Sequence, residues 1–233
     1  MRKLLAFLSL ALICSGTLRA QSETIEGNGK IVSADVPVKA FETLKASGVF
    51  QLRLVQGSTE SVKVEADENL QALIHVRNEG NQLVIDMGKK KKNYNLKRHN
   101  HMVVYVTFRQ LKSLELSMLG NVSGEGELSF DKLQIRNKSV GNVSLKLNAS
   151  RIELDNESVG NVSLSGRATT ALFRNEGVGN LKAGDLKAQT VSVINEGVGN
   201  AEVHADKDLQ VKDSFLGKVR NRGAAKVRSK EVI

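Results

Sequence analysis

Across 233 residues there is no tryptophan, one proline, one cysteine, and a total of seven Phe and two Tyr. A lone cysteine leaves no intramolecular disulfide to form, so stability has to come from packing and backbone pairing. Scarce aromatics beside 20 glycines point away from a conventional globular core. Beyond the first residues there is no long apolar run, and a bilayer span needs about twenty apolar residues, so no membrane span is expected. Catalytic signatures are missing as well. The chain has no nucleophile elbow, paired-histidine zinc helix, phosphate-binding glycine loop, EF-hand loop or Cys-x-x-Cys pair. No catalytic residue and no cofactor is expected.

What is present begins with a basic start, Met1-Arg2-Lys3, an apolar stretch from Leu4 to Ile13, the small and polar run Cys14-Ser15-Gly16-Thr17, and Ala20 before Gln21. That is the order of a secretory signal peptide, and it predicts removal of residues 1–20 and export to the periplasm, cell surface or outer membrane. Cys14 has two readings. A bacterial lipoprotein signal places a cysteine after a small residue, whereas Ile13 precedes this one. Otherwise Cys14 is a small apolar residue lost with the leader, and the exported chain has no thiol.

The dominant signal is a repeat. NKSVGN at 137–142, NESVGN at 156–161, and NEGVGN at 175–180 and 195–200 are flanked by the divergent SMLGN at 117–121 and DSFLGK at 213–218. Their glycines, Gly120, Gly141, Gly160, Gly179, Gly199 and Gly217, lie 21, 19, 19, 20 and 18 residues apart. Before each corner come alternating apolar pairs such as Leu114/Leu116, Leu133/Ile135, Ile152/Leu154, Val191/Val193 and Leu209/Val211. Period two is strand, and no unit carries a helical period. The repeat therefore predicts short strands separated by tight turns, stacked as coils of a parallel β-helix with neighbouring strands about 4.8 Å apart. Ile152, Leu154, Val159, Val162 and Leu164 are the expected inward residues of one coil. The corner needs φ > 0, which Gly supplies freely and Asn tolerates. Stacked corners would then align Asn121, Asn142, Asn161, Asn180 and Asn200 in one column. Asn137, Asn156, Asn175 and Asn195 would form a second, ended by Asp213, with amides bonded along the axis.

Residues from about Ile31 to Phe108 also alternate as strands, with one short helical segment expected over 67–74, capped by Asp67. The repeat is not visible there. The expected organisation is a leader over 1–20, an irregular β region over 21–110 capping the solenoid, and repeated coils with a basic tail over 111–233. The run SGVFQLRLVQGSTESVKVEADENL at 47–70, the LKSLEL segment at 111–116 and the VGN corners together resemble the head GIN domain family of auto-transporter adhesins. The resemblance covers roughly residues 29–224. It implies an all-β chain, a right-handed parallel β-helix, in an exported bacterial protein, and it supplies no catalytic or binding residues to carry over. Two features depart from the family pattern: the usual serine-glycine corners are Val-Gly-Asn here, and the segment at 87–102 is unusually basic.

Charge is unevenly placed. Lys89, Lys90, Lys91, Lys92, Lys97, Arg98, Arg109 and Lys112 fall between Met87 and Leu114 with no acid among them, and 217–233 holds six basic residues against one acidic. Such concentration creates local positive potential. Lys89–Lys92, Lys97 and Arg98 are the candidate contacts for an anionic partner. The competing reading is that these lysines guard a sheet edge. Tyr94 is the only aromatic between Lys89 and His101, too little to stack nucleic acid bases, and export makes nucleic acid an unexpected partner. His75, His99, His101 and His204 read as solvated loop residues, and no metal site is expected. The function these features suggest is a non-enzymatic envelope or surface scaffold that binds a glycan, an anionic polymer or a protein. The alternative is a β-helix enzyme acting on polysaccharide, with Glu125/Glu127 or Asp206/Asp208 as its acids. A groove lined by convergent acids and bases would favour the enzyme.

Overall fold

Val143, Leu145, Leu147, Ala149, Ile152 and Leu154 point inward while the residues between them face outward, as period-two alternation dictates. One coil on, Val162, Leu164, Ala168, Ala171 and Phe173 do the same, in parallel register with Val143, Leu145, Ala149, Ile152 and Leu154. Each coil thus covers the apolar interior of the one below.

The computed structural model describes residues 23–88, 94–96, 100–213 and 216–232. The first half contains β1 (Glu23–Ile25), β2 (Ile31–Val36), β3 (Thr43–Val49), β4 (Gln51–Gln56), β5 (Ser61–Asp67), α1 (Glu68–Gln71), β6 (Ile74–Glu79), β7 (Gln82–Met87), β8 (Tyr94–Leu96) and β9 (Met102–Phe108). The second half contains β10 (Ser113–Leu119), β11 (Val122–Asn137), β12 (Val143–Asn156), β13 (Val162–Asn175), β14 (Leu181–Asn195), β15 (Ala201–Val203), β16 (Ala205–Asp213), β17 (Val219–Asn221) and β18 (Val227–Val232). Together they form a β-solenoid of about six turns with a mixed sheet in the N-terminal half. The expected short strands are in fact long. β11 to β14 each run for 14 to 16 residues, because inter-coil hydrogen bonding continues through the bend near Ser150.

Stacking continues into the first half. β3 pairs with β10 in parallel, Leu44 beside Leu114, and β4 pairs with β11, Leu52 beside Val122. Beneath them β7 and β9 pair in parallel with β3 and β4. Antiparallel β6, β5 and β2 then close this end, β6 on β7 and β2 on β5, which in turn pairs with β9.

The corner glycines behave as expected in five of six cases. Gly120, Gly141, Gly160, Gly179 and Gly199 have φ between 137° and 145°, while Gly217 is not among the positive-φ glycines. No non-glycine residue among those described has positive φ, so the asparagines do not share the corner conformation. They do form two ladders, of different kinds. In the buried column Asn137, Asn156 and Asn175 each donate Nδ2 to the Oδ1 of the next, at 2.8, 2.7 and 2.7 Å, and Asn195 donates to the Gly199 carbonyl. In the outer column the backbone N–H of Asn142, Asn161, Asn180, Asn200 and Lys218 donates to the Oδ1 of the asparagine one coil before.

Two further expectations fail. Val159 is half exposed rather than inward, as are Leu119, Val140, Val178 and Val198 at the same place in other coils. The alternation that buries Asn156 and Ser158 necessarily turns Val159 out. The helix is only α1, and Asp67 makes no side-chain cap to it. Its buried carboxylate instead accepts the backbone N–H of Gly29 and of His101, each at 2.8 Å, tying the chain before β2 to the start of β9.

Candidate functional site

The residues connecting β9 to β10 leave the solenoid wall and return to it. Phe108 is buried at the end of β9 and stacks on Phe130 of β11, ring centroids 5.9 Å apart and planes 19° from parallel. Past Phe108 the side chains of Arg109, Gln110 and Lys112 emerge into solvent while Leu111 turns back into the core. Two long-range ion pairs hold this loop. Arg109 Nε donates to Glu60 at 2.8 Å, and Lys112 Nζ to Glu42 at 2.8 Å. Gln56 fixes its other side, donating to the Ser129 and Arg109 carbonyls and accepting the Ser129 N–H.

Between this loop and the bend of β11 to β13 lies an open groove of about 1130 Å³, lined by Gln56, Arg109 to Ser113, Ser129 to Lys132, Gln134, Asn148 to Ser150, and Thr169. A smaller recess of about 590 Å³ continues past Arg109 and Gln110 towards Glu42, Gly57, Glu60 and Asn81. Asp131, Ser150 and Thr169 occupy the same position in three successive coils, because β11, β12 and β13 pair here with a constant offset. The groove therefore extends along the solenoid axis across three coils.

Three carboxylates beside the groove, Glu42, Glu60 and Glu153, are held below the ordinary glutamate range. Hydrogen bonds from Lys112 and Asn81 lower the pKa of Glu42, one from Arg109 lowers that of Glu60, and those from Arg151 and Lys132 lower that of Glu153. The same contact raises Arg109. Elsewhere Glu127 pairs with Lys146, Asp206 with His204 and Asp208 with Arg228. Three of the four acids considered for glycosidic chemistry, Glu127, Asp206 and Asp208, are thus each engaged by a different basic residue. His101 Nε2 is 2.8 Å from Glu65, and His75 Nδ1 is 3.7 Å from Asp86. Among the described residues no three His, Cys, Asp or Glu side chains gather as a metal site. No described helix is long and apolar enough to cross a membrane.

Lys89, Lys90, Lys91, Lys92, Lys97 and Arg98 lie outside the described residues, as do His99, Cys14 and the leader over 1–20. Of the other basic residues, Arg109 and Lys112 meet acids 49 and 70 positions away in sequence. In the tail Arg222 meets Glu202 and Asp185. The groove residues Gln110, Gln134, Asn148, Ser150 and Thr169 carry no motif. Their one sequence signal is that Ser150 and Thr169 stand one 19-residue coil apart, in polar positions at a bend.

Stacked coils, glycine corners and a buried amide ladder make this a parallel β-solenoid protein. The chain belongs to the family described as "Putative auto-transporter adhesin, head GIN domain", whose model matches residues 40–225. Among solved structures, a Bacteroides fragilis protein described as a "putative adhesin" is 28% identical, with TM-score 0.80 over 89% of this chain and 94% of that one. A "putative adhesin" from Parabacteroides distasonis is 20% identical, TM-score 0.61, over 91% of this chain and 100% of its own. A "putative lipid binding protein" from the same species is 18% identical, TM-score 0.64, over 91% and 96%. These last two share the fold. No curated protein matches.

Proposed function

We propose that this chain is a non-enzymatic, exported scaffold of the cell envelope or surface that binds partners through its outer faces. The groove does gather one acid, Asp131, with Arg109, Lys112 and Lys132, and what carries the reading is that these cations are already bonded to carboxylates beside it. Hydrolysis of a glycosidic bond needs one carboxyl group kept protonated as general acid beside a second carboxylate. Glu42, Glu60 and Glu153 are instead all shifted down by cations hydrogen-bonded to them. Cationic partners of this kind suit a rigid binding surface and oppose acid catalysis. Membership of an adhesin family and the fold shared with a 28% identical adhesin-like protein support the same reading.

The expected partners are an envelope glycan, an anionic polymer or another protein, with Lys89–Lys92, Lys97 and Arg98 as contacts for the anionic one. Purified protein applied to a glycan array, with parallel capture of envelope components, should yield retention without turnover. Release of shortened saccharides from any retained polymer, quantified as new reducing ends, would replace the scaffold by the enzyme.

A further inference from the structure

We infer that the groove beside the 109–112 loop is a carbohydrate site that seats a neutral oligosaccharide lengthwise along the solenoid axis; this rests on the scaffold reading above and names the ligand class. The first support is where amide hydrogen-bonding capacity is used. The Asn columns spend theirs internally, amide to amide in the buried column and on backbone N–H groups in the outer one. In the groove, the side chains of Gln110, Gln134, Asn148, Ser150 and Thr169 have no hydrogen-bond partner among the described residues, yet all line one concavity. Amides and hydroxyls both donate and accept. That dual character matches sugar hydroxyls, which also do both, better than it matches an anion, which only accepts.

Geometry gives the second support. Ser129 pairs with Asn148 and Phe130 with Ala149, and Ser150 and Thr169 repeat one coil apart. Coils follow one another at about 4.8 Å, close to the length one pyranose adds to an extended chain. A glycan lying along the axis therefore meets Ser129 and Asp131, then Asn148 and Ser150, then Thr169 in successive coils. Half-buried Phe130, braced from one side by Phe108, offers an apolar surface for the C–H face of a ring.

Charge decides between neutral and anionic ligands. Arg109, Lys112 and Lys132 line the groove, but each is already bonded to a carboxylate, Glu60, Glu42 and Glu153, at 2.8 to 3.0 Å. Their field is compensated, and Asp131 adds a negative charge. A polyanion gains little here.

The test uses immobilised neutral glucan, mannan and galactan oligosaccharides, with polygalacturonate and polyphosphate as anionic comparators, at low and high salt. The parent should be retained by at least one neutral series, with retention insensitive to salt. The double variant Gln134→Ala/Asn148→Ala should weaken it about tenfold, as expected for two lost hydrogen bonds. Ser150→Arg, an exposed substitution that fills the groove, should abolish it, with thermal unfolding of both variants near the parent's. Parent-like binding by both variants would overturn the groove assignment while leaving the scaffold reading standing. So would failure of the parent on every neutral series together with retention on an anionic polymer or an envelope protein. Saccharide cleavage would instead remove the scaffold reading itself.

Discussion

At Gly160 φ is 140°, and a Cβ there would stand 2.1 Å from the carbonyl oxygen of Gly141. The fixed glycine was legible in the sequence because only glycine combines that torsion with so close a backbone approach. Gly160→Val should therefore lower stability by well over about 1 kcal/mol in urea denaturation, since strain and overlap act together. A parent-like midpoint would remove the corner assignment. The asparagines flanking the corner were legible as structural residues, but the difference between the columns was not. Both are Asn near a Gly, and only the inward or outward turn of the side chain separates them. Asn156 is 3% exposed, donates to Asn175 and accepts from Asn137 and Ser158. Removing its amide leaves those partners buried and unpaired, each costing about 1–3 kcal/mol. Asn156→Ala should consequently destabilise by more than about 2 kcal/mol. Asn161→Ala, in the outer column where the half-buried amide is still within reach of water, should cost under about 1 kcal/mol. Equal losses in the two variants would mean that burial does not distinguish the ladders.

Along a whole strand, the even spacing of apolar residues was readable, but the side of Val159 was not. An apolar residue in every repeat invites an inward assignment, yet Leu119, Val140, Val159, Val178 and Val198 stack on the outside through single inter-coil bridges. A β-branched side chain suits such a position through contact with its neighbours above and below. Val159→Thr, which keeps the branching, should shift stability by less than about 1 kcal/mol, whereas Leu164→Ala at a site only 1% exposed should cost about 2–5 kcal/mol. The uneven repeat steps also resolve at this scale. Register shifts fall after the corner, between Ser123 and Glu127 and between Ser163 and Ser165, and at or just past the bend, between Ala188 and Thr190 and between Leu209 and Gln210, so length differences are absorbed as bulges at these places. From β11 to β16 the stretch from the bend to the buried Asn137, Asn156, Asn175, Asn195 and Asp213 stays in step. The loop that walls the groove was illegible, because its anchors Glu60 and Glu42 are remote in sequence. Its pH behaviour follows from their lowered pKa values. Both folded values lie below the ordinary 4.5, so the two clasps are complete above about pH 4.5 and are lost as pH falls through the lower folded values. Hydrogen-exchange protection of residues 109–113, corrected for intrinsic rates, should drop in that acid window and should do so less in Glu60→Gln, whose clasp is already weak.

Over the whole molecule, strand pairing joins each coil to its neighbours, so each is stable because the next one covers it. The chain shows why the N-terminal coils escaped sequence reading. Leu44 stacks on Leu114 and Leu83 on Leu44, offsets of 70 and 39 residues, because the segment from Gly57 to Lys112 leaves the stack and returns beneath it. A search for a period near twenty cannot see a coil whose successor in space is 70 positions away in sequence. The charge map was similarly half readable. Sequence counting found eight basic residues without an acid from Met87 to Leu114, and the fold then supplies Glu60 to Arg109 and Glu42 to Lys112. What remains of that cluster is Lys89, Lys90, Lys91, Lys92, Lys97 and Arg98, in a chain of net charge +9. An anionic partner drawn to them feels a field screened over about 8 Å at physiological salt. Retention on a polyphosphate matrix should therefore fall steeply as salt rises, unlike the salt-insensitive glycan binding expected in the groove. Changing Lys89, Lys90, Lys91 and Lys92 together to glutamine should weaken that retention with little change in thermal unfolding, because the change removes four positive charges and keeps long polar side chains. If the quadruple variant is retained as strongly as the parent, the lysines serve only to guard a sheet edge, and the anionic contact passes to the C-terminal coil with Lys218, Arg220 and Lys226.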